Sequence, residues 1–286
     1  MSSPAPGASV AGPVRDSVAC AGQRISYLRW PAHGEGTAIA CAHPLNTGAA
    51  VWTEVAEALK DENREIIAVD YRGHGESETG GPFRAADYAR DLAAVIDRHG
   101  YSRVHLVGGS IGGAVAVELH ALRPELLASI TLMGAAVEAR MAPDAIEAVC
   151  QVLSQDGVAA WMASLTPEII GSRSAPGAAD RVVELAGGRD PEVVSRMVRA
   201  TFGTDSALEL ARRLAGTYPP TLVITGEEDP TCPPAMADDL GVIFDARVVL
   251  LPGIGHLPMV EDPHHIARLI SRNIAGAEGF AGERQR

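Results

Sequence analysis

The sequence predicts an α/β protein: a mostly parallel, eight-stranded sheet with helices on both faces and a block of helices inserted into it. Three features carry this reading. From residue 37 to about 135, short apolar runs alternate with stretches of helical periodicity, as a parallel sheet covered on both sides requires. From about 136 to 215 the chain reads as helices with no strand between them, punctuated by Pro143, Pro167, Pro176 and Gly187-Gly188. Strand and helix then alternate again from Thr221 onward.

Taken in order, residues 13–20 and 23–30 read as two strands of a hairpin that turns at Ala21-Gly22. Residues 37–42 form a third, apolar strand. A helix over 50–60 follows, with Trp52, Val55, Ala56 and Leu59 at helical spacing. Residues 64–69 are a buried strand and 85–99 a helix. The next strand is 104–107, its helix runs to about 122, and 127–133 is a further strand. Beyond the helical block come a strand at 221–225, a helix around 235–240, a strand at 247–251 and a last helix over 263–274. Residues 1–13 are small, polar and Pro-rich and are expected to be disordered; 275–286 are expected to fray. The core therefore comprises 14–135 and 216–274, and 136–215 is a lid over one end of the sheet.

The chain has 286 residues, 47% of them apolar, enough for a large core. Its net charge of −12 offers no electrostatic gain on approaching nucleic acid or an anionic membrane, so neither is expected as a partner. No apolar run is long enough to span a bilayer, and the first residues lack the basic start and apolar run of a signal peptide. Cys20, Cys41, Cys150 and Cys232 are scattered without paired spacing. A reducing, cytoplasmic setting is the simplest reading. The oligomeric state is left open, a homodimer included.

The chemistry centres on Gly108-Gly109-Ser110-Ile111-Gly112-Gly113, between a buried strand and an apolar helix. A serine with glycines two residues to either side, on a tight strand-to-helix turn, is the pattern of a nucleophile elbow. The turn forces a strained serine backbone and leaves little room for neighbouring side chains. It lifts the hydroxyl to the N-terminus of a helix, where free N–H groups suit a developing oxyanion. The stretch lacks the spacings of a phosphate or dinucleotide loop, so no cofactor is expected. Asp229 and His256 each follow a later core strand, on the rim where parallel sheets place their ligands. Alone, Asp229 reads equally well as a turn residue before Pro230, and Glu227 and Glu228 compete for its role. His256 alone reads as a loop histidine, and His43 and His74 share its rim. No two histidines have metal-ligand spacing, so no metal is expected.

Over residues 14–274 the chain resembles the α/β-hydrolase fold family. The resemblance rests on five motifs in order: His43-Pro44-Leu45, Asp70-x-Arg72-Gly73-x-Gly75-x-Ser77, the serine elbow, Gly226-x-x-Asp229-x-x-x-Pro233, and Gly255-His256. It implies Ser110 as nucleophile, His256 as proton relay and Asp229 as the carboxylate that orients the imidazole. It also implies the backbone N–H groups of Leu45 and Ile111 as oxyanion donors. Two positions depart from the family pattern. Pro44 stands where glycine is usual, which stiffens the loop and leaves the donor to Leu45. Gly109 stands where many relatives carry histidine, which predicts more freedom and space at the elbow.

The segment Glu228-Asp229-Pro230-Thr231-Cys232-Pro233-Pro234 is similar to that of 3-oxoadipate enol-lactonases, a likeness that related esterases and C–C bond hydrolases share. The leading expectation is hydrolysis of a small carboxylic ester or lactone through an acyl-enzyme. The same groups can serve C–C bond hydrolysis of a ring-cleavage or β-diketone product, or perhydrolysis. A ligand receptor or a non-hydrolytic biosynthetic protein can also be built on this fold. His43, Trp161, Met133 and Phe202 are candidate pocket residues, with Met141 and Met162 beside them. The lid arginines Arg140, Arg173, Arg181, Arg189, Arg196, Arg199, Arg212 and Arg213 are candidates for pairing with a substrate carboxylate.

Overall fold

A computed structural model of the chain describes residues 12–284. Residues 1–11, where the disordered start was expected, lie outside the described residues.

The elements begin with the predicted hairpin, β1 (Val14–Cys20) and β2 (Gln23–Trp30), turning through Ala21 and Gly22, both at positive φ. Next come β3 (Ala38–Ala42), a 3₁₀ turn over Ala49–Trp52, and α1 (Thr53–Ala58). β4 (Ile66–Val69), α2 (Ala85–Arg98), β5 (Val104–Gly109), α3 (Gly112–Leu122) and β6 (Leu127–Met133) complete the first half. The inserted block holds α4 (Pro143–Ile169), α5 (Ala178–Ala186), α6 (Pro191–Arg199), a π turn over Ala200–Thr204, and α7 (Leu208–Arg213). The chain then returns to the sheet with β7 (Thr221–Gly226), α8 (Pro234–Phe244), β8 (Arg247–Leu251), α9 (Pro258–Glu261) and α10 (Pro263–Arg284).

All eight strands form one sheet in the order β1-β2-β4-β3-β5-β6-β7-β8. β1 and β2 pair antiparallel, as do β2 and β4, and every later pair is parallel. Strand alternation sorts the core into two layers. Ala38, Ala40, Ile67, Val69 and Leu106 pack on one face with Leu92, Ile96 and Leu119. Ile39, Cys41, Ile66, Ala68 and Val107 pack on the other with Trp52, Ile224 and Ile270. Each large aliphatic side chain buried this way contributes about 1.5–3 kcal/mol of transfer free energy.

Three local expectations are corrected. The helix expected over 50–60 is a short α-helix between two 3₁₀ turns. The turn α9 was not foreseen, because four residues are too few to show periodicity. The expected fraying at 275–286 is not found as far as Arg284: α10 continues unbroken. Ile274 and Ala277 are buried there, and Glu278 accepts two hydrogen bonds from the Arg64 guanidinium, at 2.9 and 2.7 Å. Those contacts hold the last turns against the sheet. Among the described residues no helix is long and apolar enough to cross a membrane.

Candidate active site

Ser110 sits between β5 and α3 at φ +53°, the left-handed backbone expected of the elbow. Its neighbours explain the glycines. A Cβ on Gly112 would lie 3.0 Å from the Ala42 carbonyl oxygen, so the first turn of α3 can approach β3 only without one. The expected spare room at Gly109 is absent. A Cβ there would lie 2.5 Å from Met259 Cε and 3.1 Å from Pro44 Cγ, because Met259 and Pro44 occupy the space.

The three distant residues meet. The Ser110 hydroxyl lies 3.2 Å from His256 Nε2. His256 Nδ1 lies 3.1 and 3.0 Å from the two oxygens of Asp229. With Nδ1–H donating to the carboxylate, Nε2 is left as an acceptor for the serine O–H, the tautomer a general base requires. Asp229 is buried, and its Oδ1 also accepts the N–H groups of Thr231 and Cys232, each at 2.8 Å. Glu228, a competitor for its role, faces outward and binds Ser172 instead.

Glu261, not among the residues singled out from the sequence, anchors the histidine loop. Its buried carboxylate accepts the N–H of Gly255 (2.7 Å) and of Leu257 (2.8 Å), the residues either side of His256. It also accepts the N–H of Gly171 (2.8 Å) and the hydroxyl of Ser174 (2.6 Å), just past the end of α4. The His256 N–H donates to the Ile169 carbonyl at 2.7 Å. The spacing of Glu261 five residues after a candidate base was the available signal, but burial on α9 appears only in three dimensions.

His43 and Met133, expected in the pocket, are both fully buried elsewhere. Met133 ends β6 inside the core, and its carbonyl accepts the Ser110 N–H at 3.1 Å. His43 lies beneath the loop after β3. Its Nδ1–H donates to the Pro44 carbonyl at 2.7 Å, and its Nε2 accepts the Tyr71 N–H at 3.2 Å. Burial pushes its pKa down to about 4, so the ring is neutral, as both bonds require. His74 is buried too, with Nε2 at 2.5 Å from the Leu45 carbonyl oxygen. Burial, the Arg189 charge and His43 hold its pKa well below the usual histidine range.

The Pro44 carbonyl shares a peptide plane with the Leu45 N–H. It accepts from His43, from Thr47 N–H (3.2 Å) and from Thr47 Oγ1 (3.0 Å). That fixes the direction of the Leu45 N–H. Among the described residues neither Leu45 N–H nor Ile111 N–H donates to a protein acceptor, and both residues line the same cavity as Ser110 and His256. The cavity has a volume of about 380 Å³. Its walls include Trp161, Met141, Met162 and Phe202 from the inserted block, with Leu45 and Leu257 from the core. Arg140 also lines it, and its guanidinium donates to Glu138 (3.1 Å) and to the Gly203 carbonyl (2.9 Å).

Asp229, Cys232 and His256 offer ligand atoms within 4.8 Å of one another. Burial pushes the Cys232 thiol up, and Asp229 adds to that, so it stays protonated. A metal would have to take the carboxylate and imidazole out of the hydrogen-bonded chain just described.

The model of the alpha/beta hydrolase fold family matches residues 37–263. A putative carbamate hydrolase, RutD, of Variovorax paradoxus is 30% identical over 82% of this chain and 91% of its own. A thermophilic esterase from Thermogutta terrifontis superposes with a TM-score of 0.79 at 23% identity, covering 93% of this chain and 99% of that one. The enol-lactonase from Burkholderia xenovorans LB400 does so with 0.79 at 22% identity, covering 91% and 100%. Sheet order, inserted helices and matched family model together show that the chain belongs to the alpha/beta hydrolase fold family.

Proposed function

We propose that the protein is a serine hydrolase that cleaves a small ester or lactone with an apolar acyl part, through an acyl-enzyme on Ser110. The observation that carries this reading is the hydrogen-bonded chain Ser110–His256–Asp229 at the wall of an apolar cavity. Ser110 Oγ attacks the carbonyl carbon while its proton passes to His256 Nε2. The carbonyl oxygen becomes an oxyanion that the N–H groups of Leu45 and Ile111 receive. The C–O bond breaks, and the leaving alkoxide takes the proton from Nε2. Water then loses a proton to Nε2, attacks the acyl carbon and releases the acid, returning the proton to Ser110. In a lactone the leaving group, once protonated, is a hydroxyl on the same carbon chain as the acyl group, and the second step releases the hydroxy acid. Asp229 stabilises the transient imidazolium and keeps Nδ1 protonated throughout. An apolar substrate is favoured because Arg140, the one arginine lining the cavity among the described residues, is already paired with Glu138.

Residues 136–215 serve in this reading as the lid, since they supply most of the apolar wall. The test uses p-nitrophenyl butyrate, a γ-lactone and a fluorophosphonate probe. Ser110→Ala and His256→Ala should each lower kcat by about 10⁴–10⁶-fold, because such groups act as a unit. Labelling should be confined to Ser110. Turnover that survives Ser110→Ala would overturn the proposal.

A further inference from the structure

We propose that Arg189, on the turn between α5 and α6, is a positioning residue for the oxyanion loop: it holds the Leu45 peptide in register, so that the loop is set only while the inserted helices sit on the core. The inference rests on the reading of the Leu45 N–H as an oxyanion donor.

The turn is shaped to deliver this side chain. Gly188 has φ +74°, and Asp190 caps α6 by accepting the Glu192 N–H at 2.8 Å. Between them the guanidinium of Arg189 enters the interior. Its Nη1 donates to the Leu45 carbonyl at 3.0 Å, the same oxygen that His74 Nε2 meets at 2.5 Å. The Leu45 carbonyl is thus held by one donor from the core and one from the insertion. The peptide plane before it is held from the core alone, through Pro44, His43 and Thr47. The two planes meet at the Leu45 Cα, so releasing the carbonyl widens the range over which the Leu45 N–H swings about the direction its core bonds give it.

The rest of the guanidinium is unsatisfied. Nε and Nη2 are buried without a hydrogen-bond partner among the described residues, and Tyr88, not a carboxylate, is the group beside them whose charge would favour the cation. Burial brings the pKa of Arg189 down to about 10, still charged at neutral pH. A buried cation without a counter-charge lowers stability, because its desolvation is not offset. A methionine of similar length would pack there at less cost. Arg189 therefore does not stabilise the fold, and its one directed contact falls on the loop that faces the substrate carbonyl. Its charge behind the Leu45 peptide also has the sign that favours an oxyanion in front of it.

The test compares wild type, Arg189→Met and Arg189→Lys on p-nitrophenyl butyrate, with a trifluoromethyl ketone as a ligand that forms the tetrahedral adduct. For Arg189→Met, kcat should fall about tenfold to a hundredfold, less than loss of a whole oxyanion donor. KM should stay within about threefold of wild type, since ground-state binding does not use this contact. Affinity for the ketone should fall by the same factor as kcat, and the thermal midpoint should hold or rise. Arg189→Lys, which keeps the charge but cannot present a planar fork, should fall between the two, and it carries the test should Arg189→Met not fold. Wild-type kcat in both variants overturns the inference. So does a loss of kcat that tracks a lowered thermal midpoint while ketone affinity is unchanged. If instead Ser110→Ala keeps its activity, it is the hydrolase reading itself that fails, whatever Arg189 does.

Discussion

Glu261 shows how one carboxylate can set the geometry of a neighbour it never touches. Its oxygens gather the N–H groups on both sides of His256, and two more donors from the end of α4. Every one of these donors is a neutral N–H or O–H, so the charge is spread over hydrogen bonds rather than paired with a cation. In Glu261→Gln one oxygen becomes an amide nitrogen, and at least one backbone N–H then faces another donor. A buried donor left unpaired costs about 1–3 kcal/mol. We expect a lower thermal midpoint, and a kcat about tenfold below wild type as the imidazole loosens. Saturating ester kinetics beside a melting curve check this. A variant with both values unchanged would show that the loop is held by its other bonds.

At the scale of elements, the proposed function gives the inserted helices the choice of what the site accepts. α4 contributes Trp161, Met162 and Val149 to the cavity, and Phe202 comes from the π turn after α6. α4 is interrupted at Gly157, whose φ of +80° and ψ of 172° are not helical, so its second half can lean over the core independently of the first. Trp161→Ala removes the largest of these side chains. Each methylene that a pocket newly admits changes discrimination by about tenfold or more. The kcat/KM ratio of octanoate to butyrate p-nitrophenyl esters should therefore rise at least about tenfold. An unchanged ratio would mean that the acyl chain lies elsewhere in the cavity.

For the whole molecule, the buried histidines couple the fold to pH. His43 is neutral in the fold, its pKa depressed by burial from 6.5 to about 4, and His74 is shifted the same way. Between those two values the unfolded chain binds the proton that the folded chain refuses. Stability is therefore complete above pH 6.5 and is lost as the pH falls toward 4, on the order of 3 kcal/mol for His43. The thermal midpoint should fall over that range. It should fall less steeply in His43→Asn, which has no group to titrate there, even if that variant melts lower at neutral pH. An equal slope in both proteins would place the acid sensitivity elsewhere.

The sequence by itself determined the class of fold and the order of strands and helices, and it offered Ser110, Asp229 and His256 as candidates, among which only the family resemblance set Asp229 above Glu227 and Glu228. These follow from local signals: apolar periodicity, glycines that a tight turn requires, and polar residues just past strand ends. Tertiary structure alone decided which side chains face the cavity. Trp161 and Phe202 line it, while Met133 and His43 are turned into the core, and no periodicity within a strand end or loop distinguishes the two outcomes. The parts played by Glu261 and Arg189 were hidden for a related reason. Each depends on a carboxylate or guanidinium meeting backbone groups from distant segments, and such meetings are fixed by how the elements pack, not by the residues beside them in the chain.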